Sequence, residues 1–283
     1  MARVRVCVLP LLADGRLAPV SDVQQHQGRG PTSRQEGSHA HCIVPDGHGR
    51  FLAADLGTDQ IMVYALDTVE GKLRLVMPPV AVAPGSGPRH LCFHPNGRFV
   101  YVLAELSSEI IAFHYDVEGG TLHPHQTISM LPLNYTGFST GAHIQASPDG
   151  KFLYASNRGH DSLVIYAIDE ATGLLTLVGH ESTQGKTPRH FTMDAHGRFL
   201  LAANQDSDTV VVFRRDEETG RLTAVAPLCP FPPLFAYNCY PYSKEGADLF
   251  PRPIYHRFQE KLCQSIKTLK SLSTPPQAKT NPF

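Results

Sequence analysis

One unit, repeated four times, constrains this chain more than any single motif. The segments GRFLAADLGTDQIMVYALD (49–67), GRFVYVLAELSSEIIAFHYD (97–116), GKFLYASNRGHDSLVIYAID (150–169) and GRFLLAANQDSDTVVVFRRD (197–216) are versions of one pattern, and their first glycines lie 48, 53 and 47 residues apart. A fixed period of that size marks a repeat architecture and limits the fold before local propensity does. Each unit reads as four short strands: an apolar run from Arg89 to His94, a turn at Pro95-Asn96-Gly97, a second run through Leu103, and a third from Glu109 to Tyr115, with a fourth after a turn such as EGGT, EATGL or EETGR. Four antiparallel strands per ~40 to 50 residues predict an all-β fold, a β-propeller whose four-stranded blades set their first strand along a central channel. A β-sandwich is the weaker reading, because it needs no recurrent turn chemistry.

Residues 37 to 226 supply four blades, and the N-terminal VRVCVLPLLADGRLAPV matches only the outer half of another, with LADGRL in the place of EATGLL. The expectation is an incomplete propeller over residues 1–226 with about four and a half of seven blades. Residues 227–283 lose the period: they hold ten prolines, an aromatic patch FAYNCYPY, a candidate helix at RFQEKLCQSIKTL, and a polar tail SLSTPPQAKTNPF expected to be disordered.

Charge and cysteine usage remove several function classes. The 25 basic and 26 acidic residues nearly cancel and no polybasic run stands out, which argues against nucleic acid as a partner. No apolar run approaches the ~20 residues that span a bilayer. The six cysteines, at 7, 42, 92, 229, 239 and 263, show no CxxC spacing and read as reduced, packed thiols. The opening MARVRVCVLPLL contains Pro10 and runs into DGR rather than a small-residue cleavage site, so it reads as a strand of a cytoplasmic protein.

In a hairpin, residues equidistant from the turn face one another, so Arg89, eight before Gly97, is expected across from Glu105, eight after it, at one mouth of the channel. The same places in the other repeats hold His39 and His41 in GSHAH, His90 beside Arg89 in GPRH, His143 in GAHI, and Arg189 and His190 in TPRH. Beyond the turn they hold Asp55, Glu105, Asn157 with Arg158, and Asn204. Each blade then brings a basic or imidazole group and a polar partner to one rim, and a ring of positive potential there suits a small anion carrying carboxylate or phosphate. Such residues also cap backbone groups or bridge blades. Glu105 stands apart, since its counterparts read as Asp, Asn and Asn. His48, His94 and His196 fall at the turns of the opposite end and are expected on the surface.

A metal site built from His39, His41 and Asp55 is the alternative reading of these residues. Two histidines two residues apart are a weak signature and the rim is more cationic than a divalent site tolerates, so no metal or cofactor is expected. No GxSxG elbow occurs, and Cys42 should point away from His41.

GSHAH, GSGPRHLCFHPNGRFVYVLAEL, SPDGKFLYASNRGHDSLVIY and TPRHFTMDAHGRFLLAANQDSDTVVVFRR together resemble the lactonase family of seven-bladed β-propellers, which includes bacterial-type 6-phosphogluconolactonase and the fungal carboxy-muconate lactonizing enzymes. The likeness covers residues 4 to 226. It implies an enzyme that hydrolyses a sugar lactone, 6-phosphogluconolactone foremost, as in the pentose phosphate pathway, with a small anionic lactone as its partner. The family's cluster of one histidine, two arginines and a glutamate falls on His41, Arg89, Glu105 and Arg158; Arg189 and His143 are added from the repeat.

Lactone hydrolysis needs a base for water and positive charge where the oxyanion forms. The resemblance gives Glu105 the acid-base part, Arg89 the orienting and polarising part, and His41 auxiliary proton transfer, while Arg158 and Arg189 would hold the substrate's anionic group. Muconate lactonization would use the same residues, and a non-catalytic binding platform is the competing class. The family pattern also implies about two and a half further blades ahead of Met1 and a strand that closes the ring, so an inactive truncated product is a third reading. Monomer and homodimer are equally open.

Overall fold

In the computed structural model, which describes residues 4–225 and the backbone of residues 229–230, every regular element is a β-strand. The chain opens with a ribbon of β1 (Val6–Val8) and β2 (Asp22–Gln24), and four blades follow. The first holds β3 (Ala40–Pro45), β4 (Arg50–Asp55), β5 (Gln60–Asp67), β6 (Lys72–Leu75) and β7 (Val80–Ala81). The second holds β8 (Pro88–Phe93), β9 (Phe99–Ala104), β10 (Glu109–Asp116) and β11 (Thr121–Ser129). The third holds β12 (Thr140–Ala146), β13 (Phe152–Arg158), β14 (Ser162–Ile168) and β15 (Leu175–Ser182). The fourth holds β16 (Pro188–Met193), β17 (Phe199–Asn204), β18 (Thr209–Arg215), β19 (Leu222–Ala224) and β20 (Cys229–Pro230). Strands pair antiparallel in sequence order, and in the first and fourth blades the outermost strand is split, so that β6 and β7 share β5 and β19 and β20 share β18. Four blades and part of a fifth were expected, and these are found. The expected loss of period after residue 226, with FAYNCYPY and RFQEKLCQSIKTL, lies outside the described residues.

The burial gradient explains the strand sequences. Every residue of β9 is buried, whereas β11 at the outer edge buries only Leu122. A strand apolar at every position must be covered on both faces, and here the covers are the adjacent blades. Leu52, Ala54 and Val63 of the first blade pack with Leu91, Val100 and Val102 of the second. Tyr101 and Leu103 pack with Ile144, Leu153 and Ala155 of the third. Tyr154 and Ile165 pack with Phe191, Leu200 and Ala202 of the fourth, and Val6 of the ribbon joins Ala53, Met62 and Tyr64. The first strands are neighbours at the centre: β8 packs between β3 and β12, and β12 meets β16.

Polar staples cross the same seams. The hydroxyl of Tyr101 donates to the carbonyl of Gly173 at 3.0 Å and that of Tyr154 to Gly220 at 2.7 Å, each in the outer turn of the next blade. Both glycines have positive φ, and a Cβ at either would come within 2.5 Å of the ring of Phe99 or Phe152. The glycine of EATGL and EETGR is therefore required twice, by backbone conformation and by close approach.

One expectation is corrected. His94 is buried, not exposed: its Nε2 lies 2.9 Å from the carbonyl oxygen of Gly150 and its ring meets Phe99 edge-on. Turns of successive blades adjoin at that end, so a residue there faces the next blade rather than water. His48 and His196 are exposed as expected.

If the seams carry the stability, Tyr154→Phe should lower the unfolding free energy by about 1 kcal/mol and Leu103→Ala by about 2–5 kcal/mol. Urea denaturation of the two variants against the parent measures both.

Candidate active site

A recurrent irregularity aims the rim side chains. In the second blade the ladder pairs Pro88 with Ala104 and then His90 with Leu103, leaving Arg89 as a bulge. The shift recurs between Ala40 and Cys42, between Gly141 and Ile144, and between Pro188 and His190. A bulge leaves a residue outside the ladder and re-aims its side chain, and here it selects His41, Arg89, Ala142 with His143, and Arg189, all at one end of their blades. Arg89 and Glu105 do meet, but from a bulge rather than as the directly opposed pair that counting from Gly97 suggested.

The ladder also corrects which residues correspond. Asp55, Ala104, Asn157 and Asn204 share one position, each pairing with the first residue of the next strand, Gln60, Glu109, Ser162 and Thr209. The counterparts of Glu105 are thus Leu56, Arg158 and Gln205. Asp55, Asn157 and Asn204 are buried and tie blades together. Asp55 accepts from the amides of His39, Gly57 and Thr58 at 2.8, 2.9 and 3.1 Å and meets His26 Nδ1 at 2.6 Å. Asn157 donates to the carbonyl of Met130 at 2.8 Å and Asn204 to that of Thr183 at 2.9 Å. Both oxygens of Asp55 are committed, so it does not complete a ligand set with His39 and His41.

Glu105 does something different. Its buried carboxylate forms ion pairs with Arg89 Nε at 2.8 Å and Arg158 Nη2 at 3.0 Å through one oxygen, and accepts a hydrogen bond from Arg34 Nη2 at 3.2 Å on the other. Arg89, equally buried, also donates to the carbonyl of Ala142, and Arg158 to that of Gly141 at 2.8 Å. Burial lowers Arg89 to about 10 and also lowers Arg158, with Glu105 opposing the shift in both; each stays cationic at neutral pH.

From Arg89 a column of imidazoles runs across the first strands. Arg89 Nη1 lies 3.0 Å from His90 Nε2, and His90 Nδ1 lies 2.9 Å from His143 Nδ1. A guanidinium can only donate, so His90 Nε2 accepts, and the neutral ring then carries its proton on Nδ1 and donates it to His143. His190 lies next, with ring centroids 4.0 Å apart, and His41 stands edge-on to His90 on the other side at 5.4 Å. Burial first, and then the cation of Arg89 and the neighbouring imidazoles, push His90 and His143 well below the usual histidine range and lower His190. Desolvation and Arg89 bring His41 down to about 4. His41 is the exposed end of the column and is a neutral imidazole at pH 7.

Two of the residues named from sequence behave unlike the rest. Arg189 reaches Gln205 at 3.1 Å rather than Glu105, although its charge is felt at His41, Arg89 and Arg158. His143 belongs to the imidazole column. Cys42 and Cys92 pack against the core, and burial pushes Cys42 up and Cys92 up to about 12, so neither is a ready thiolate.

Sequence reasoning missed three contributors. Arg34 sits ahead of the first repeat, where no period could flag it. Asp59 precedes a third strand with φ of 53°, and its carboxylate holds the amides of Gly85 and Gly87 at 2.7 and 2.8 Å, fixing the loop that delivers Arg89. His26, stacked on Tyr64, pins Asp55. The recurrence of Asp at the equivalent positions 161 and 208 was the available signal for Asp59.

The profile described as "Lactonase, 7-bladed beta-propeller" matches residues 3–232. The chain belongs to this lactonase family. Among curated members it is 40% identical over 190 residues to the 6-phosphogluconolactonase of Bacillus subtilis, covering 66% of this chain and 53% of that protein. It is 44% identical over 183 residues to the 6-phosphogluconolactonase of Formosa agariphila, covering 62% and 51%. Among solved structures, the periplasmic gluconolactonase of Pseudomonas aeruginosa superposes with a TM-score of 0.73 at 40% identity, over 78% of this chain and 62% of that one. The lactonase chain therefore spans about half the length of the curated relatives it matches.

The imidazole column makes the lactonase fold sensitive to pH in a definite direction. Its histidines bind protons more weakly folded than unfolded, so their contribution is complete above the unfolded value of about 6.5 and is lost as pH falls below it. The lowered aspartates act only from about 3.8 downward. Between about pH 6.5 and 4.5 the unfolding free energy should therefore drop, and His143→Phe should make the drop shallower; urea titrations across that range measure it.

Proposed function

We propose that this chain contributes to hydrolysis of a sugar lactone at the rim formed by Glu105, Arg89, Arg158 and His41, with 6-phosphogluconolactone as the substrate suggested by the names of its relatives. The observation that carries the reading is the buried Glu105 carboxylate between Arg89 and Arg158 at the bulged end of the blades. A purely structural role needs no such cluster, since the bridges between blades are made one ladder position earlier, by Asp55, Asn157 and Asn204.

Water attacks the lactone carbonyl carbon, and Glu105 takes its proton as the tetrahedral oxyanion forms. Arg89 and Arg158 place positive charge beside that oxygen in a region sheltered from solvent. The ring carbon–oxygen bond then breaks, and the proton held by Glu105 returns to the leaving alkoxide, giving the open hydroxy acid. His41, neutral at pH 7, acts as an auxiliary acceptor, and Arg189 adds to the potential that draws an anionic substrate. The free thiols of Cys7, Cys42 and Cys92 fit a reducing compartment such as the cytoplasm, and among the described residues no helix is long and apolar enough to cross a membrane.

The parent chain should hydrolyse 6-phosphogluconolactone above the spontaneous rate, and Glu105→Gln should lower kcat about 10²–10⁴-fold under conditions where urea denaturation shows the variant still folded, its midpoint lowered because Arg89 and Arg158 lose their counter-charge. Equal rates for parent and variant would remove Glu105 from the chemistry, and a parent rate no faster than buffer would refute the lactonase reading for this chain.

A further inference from the structure

Three guanidiniums meet at Glu105, and they differ in what else they can reach. Arg89 is 3% exposed at its side chain and Arg158 14%, and both spend further donors on the carbonyls of Ala142 and Gly141. Arg34 is 58% exposed and touches Glu105 through Nη2 alone. Its Nε and Nη1 have no protein partner among the described residues.

The loop that presents Arg34 is built rather than loose. The neighbouring Gln35 is fully buried, donating to the carbonyl of Leu56 at 2.9 Å and accepting from the hydroxyl and amide of Thr32 at 3.0 and 3.3 Å. The amide of Gly30 closes the loop on the carbonyl of Gln35 at 3.0 Å, and a Cβ at Gly30 would lie 2.4 Å from the Gln35 side chain. The loop coils around one buried amide and sets the next side chain over the rim.

Positive charge exceeds negative charge at this rim. Arg34, Arg89 and Arg158 meet one carboxylate at Glu105, Arg189 stands beside them on Gln205, and Asp206 is an acid that feels Arg158 and Arg189. The imidazoles of His41, His90, His143 and His190 are lowered and add no charge at pH 7. Four cations against two anions match a doubly charged group, and a guanidinium offers parallel donors along its Nε/Nη2 and Nη1/Nη2 edges: with one Nη2–H on Glu105, the other Nη2–H and its edge neighbour remain to grip a phosphate in a bidentate way.

We infer that Arg34 receives the phosphate of a phosphorylated sugar lactone and sets the preference for phosphorylated over neutral substrates, while one Nη2–H stays on Glu105. This deepens the lactonase reading and rests on it. Arg34 would then couple the two ends of the substrate: the side chain that holds the phosphate also touches the carboxylate that handles the proton.

The test compares the parent with Arg34→Ala and Arg34→Lys on 6-phosphogluconolactone and on unphosphorylated gluconolactone. Losing a charge-assisted bidentate contact should lower kcat/KM for the phosphorylated lactone about 10–100-fold more than for the neutral one, mainly through KM, with lysine recovering part of the loss. An equal loss on both lactones would show that Arg34 acts only by positioning Glu105, and would overturn the inference. A second arm is independent of turnover: calorimetric binding of 6-phosphogluconate and gluconate. The parent should bind the phosphorylated acid at least tenfold more tightly and Arg34→Ala should erase the difference; a difference unchanged in the variant overturns the inference. If the parent hydrolyses neither lactone, the lactonase reading falls, and the binding arm alone decides Arg34.

Discussion

The second strands of the second and third blades are buried on both faces only because another blade lies on either side, and the rest of the molecule follows from that requirement. A single hairpin such as β8–β9 could not shelter Phe99 to Ala104 from water. Stacked against its neighbours it contributes to two core layers at once, one with Leu52 and Val63 and another with Leu153 and Ala155. This is why the apolar runs are continuous in the second strands and fade outward, and why the polar links that matter cross seams: Tyr101 to Gly173, Tyr154 to Gly220, Asn157 to Met130.

The same stacking creates the site. Four first strands converge at the centre, and a bulge at the same end of each turns an arginine or histidine out of its ladder. In the second blade that residue is Arg89, and it is trapped between Glu105 of its own blade and the carbonyl of Ala142 from the next. The geometry explains the neutral imidazoles beside it. An arginine that donates to His90 requires a free lone pair there, and burial next to a fixed cation keeps protons away from the column. Positive charge is thus concentrated on guanidiniums, which hold it at any physiological pH, rather than spread over groups that titrate.

Much of the fold was legible because a repeat compares the chain with itself. Gly97, Gly150 and Gly197 marked equivalent turns, and the apolar runs on either side gave the strands to within a residue or two. The site was legible in part. Arg89, Glu105 and Arg158 were found, but counting outward from the turn gave Glu105 the wrong counterparts, since a bulge breaks the count and strand lengths differ between blades. The burial of His94 was not legible because a turn looks exposed until the adjoining blade is in place, and Arg34 gave no signal because it lies on a loop that belongs to no repeat.

What the sequence determined by itself was the architecture: period, strand order, turn chemistry, and the end of each blade that carries charge all follow from spacing and residue type along the chain. The tertiary structure decided which of those charges meet. Glu105, Arg158 and Arg34 come from different blades and loops, and whether a guanidinium lies 3 Å from a carboxylate depends on bulges and on the stacking of neighbouring sheets. Those are relations between distant segments, and no local pattern of residues encodes them.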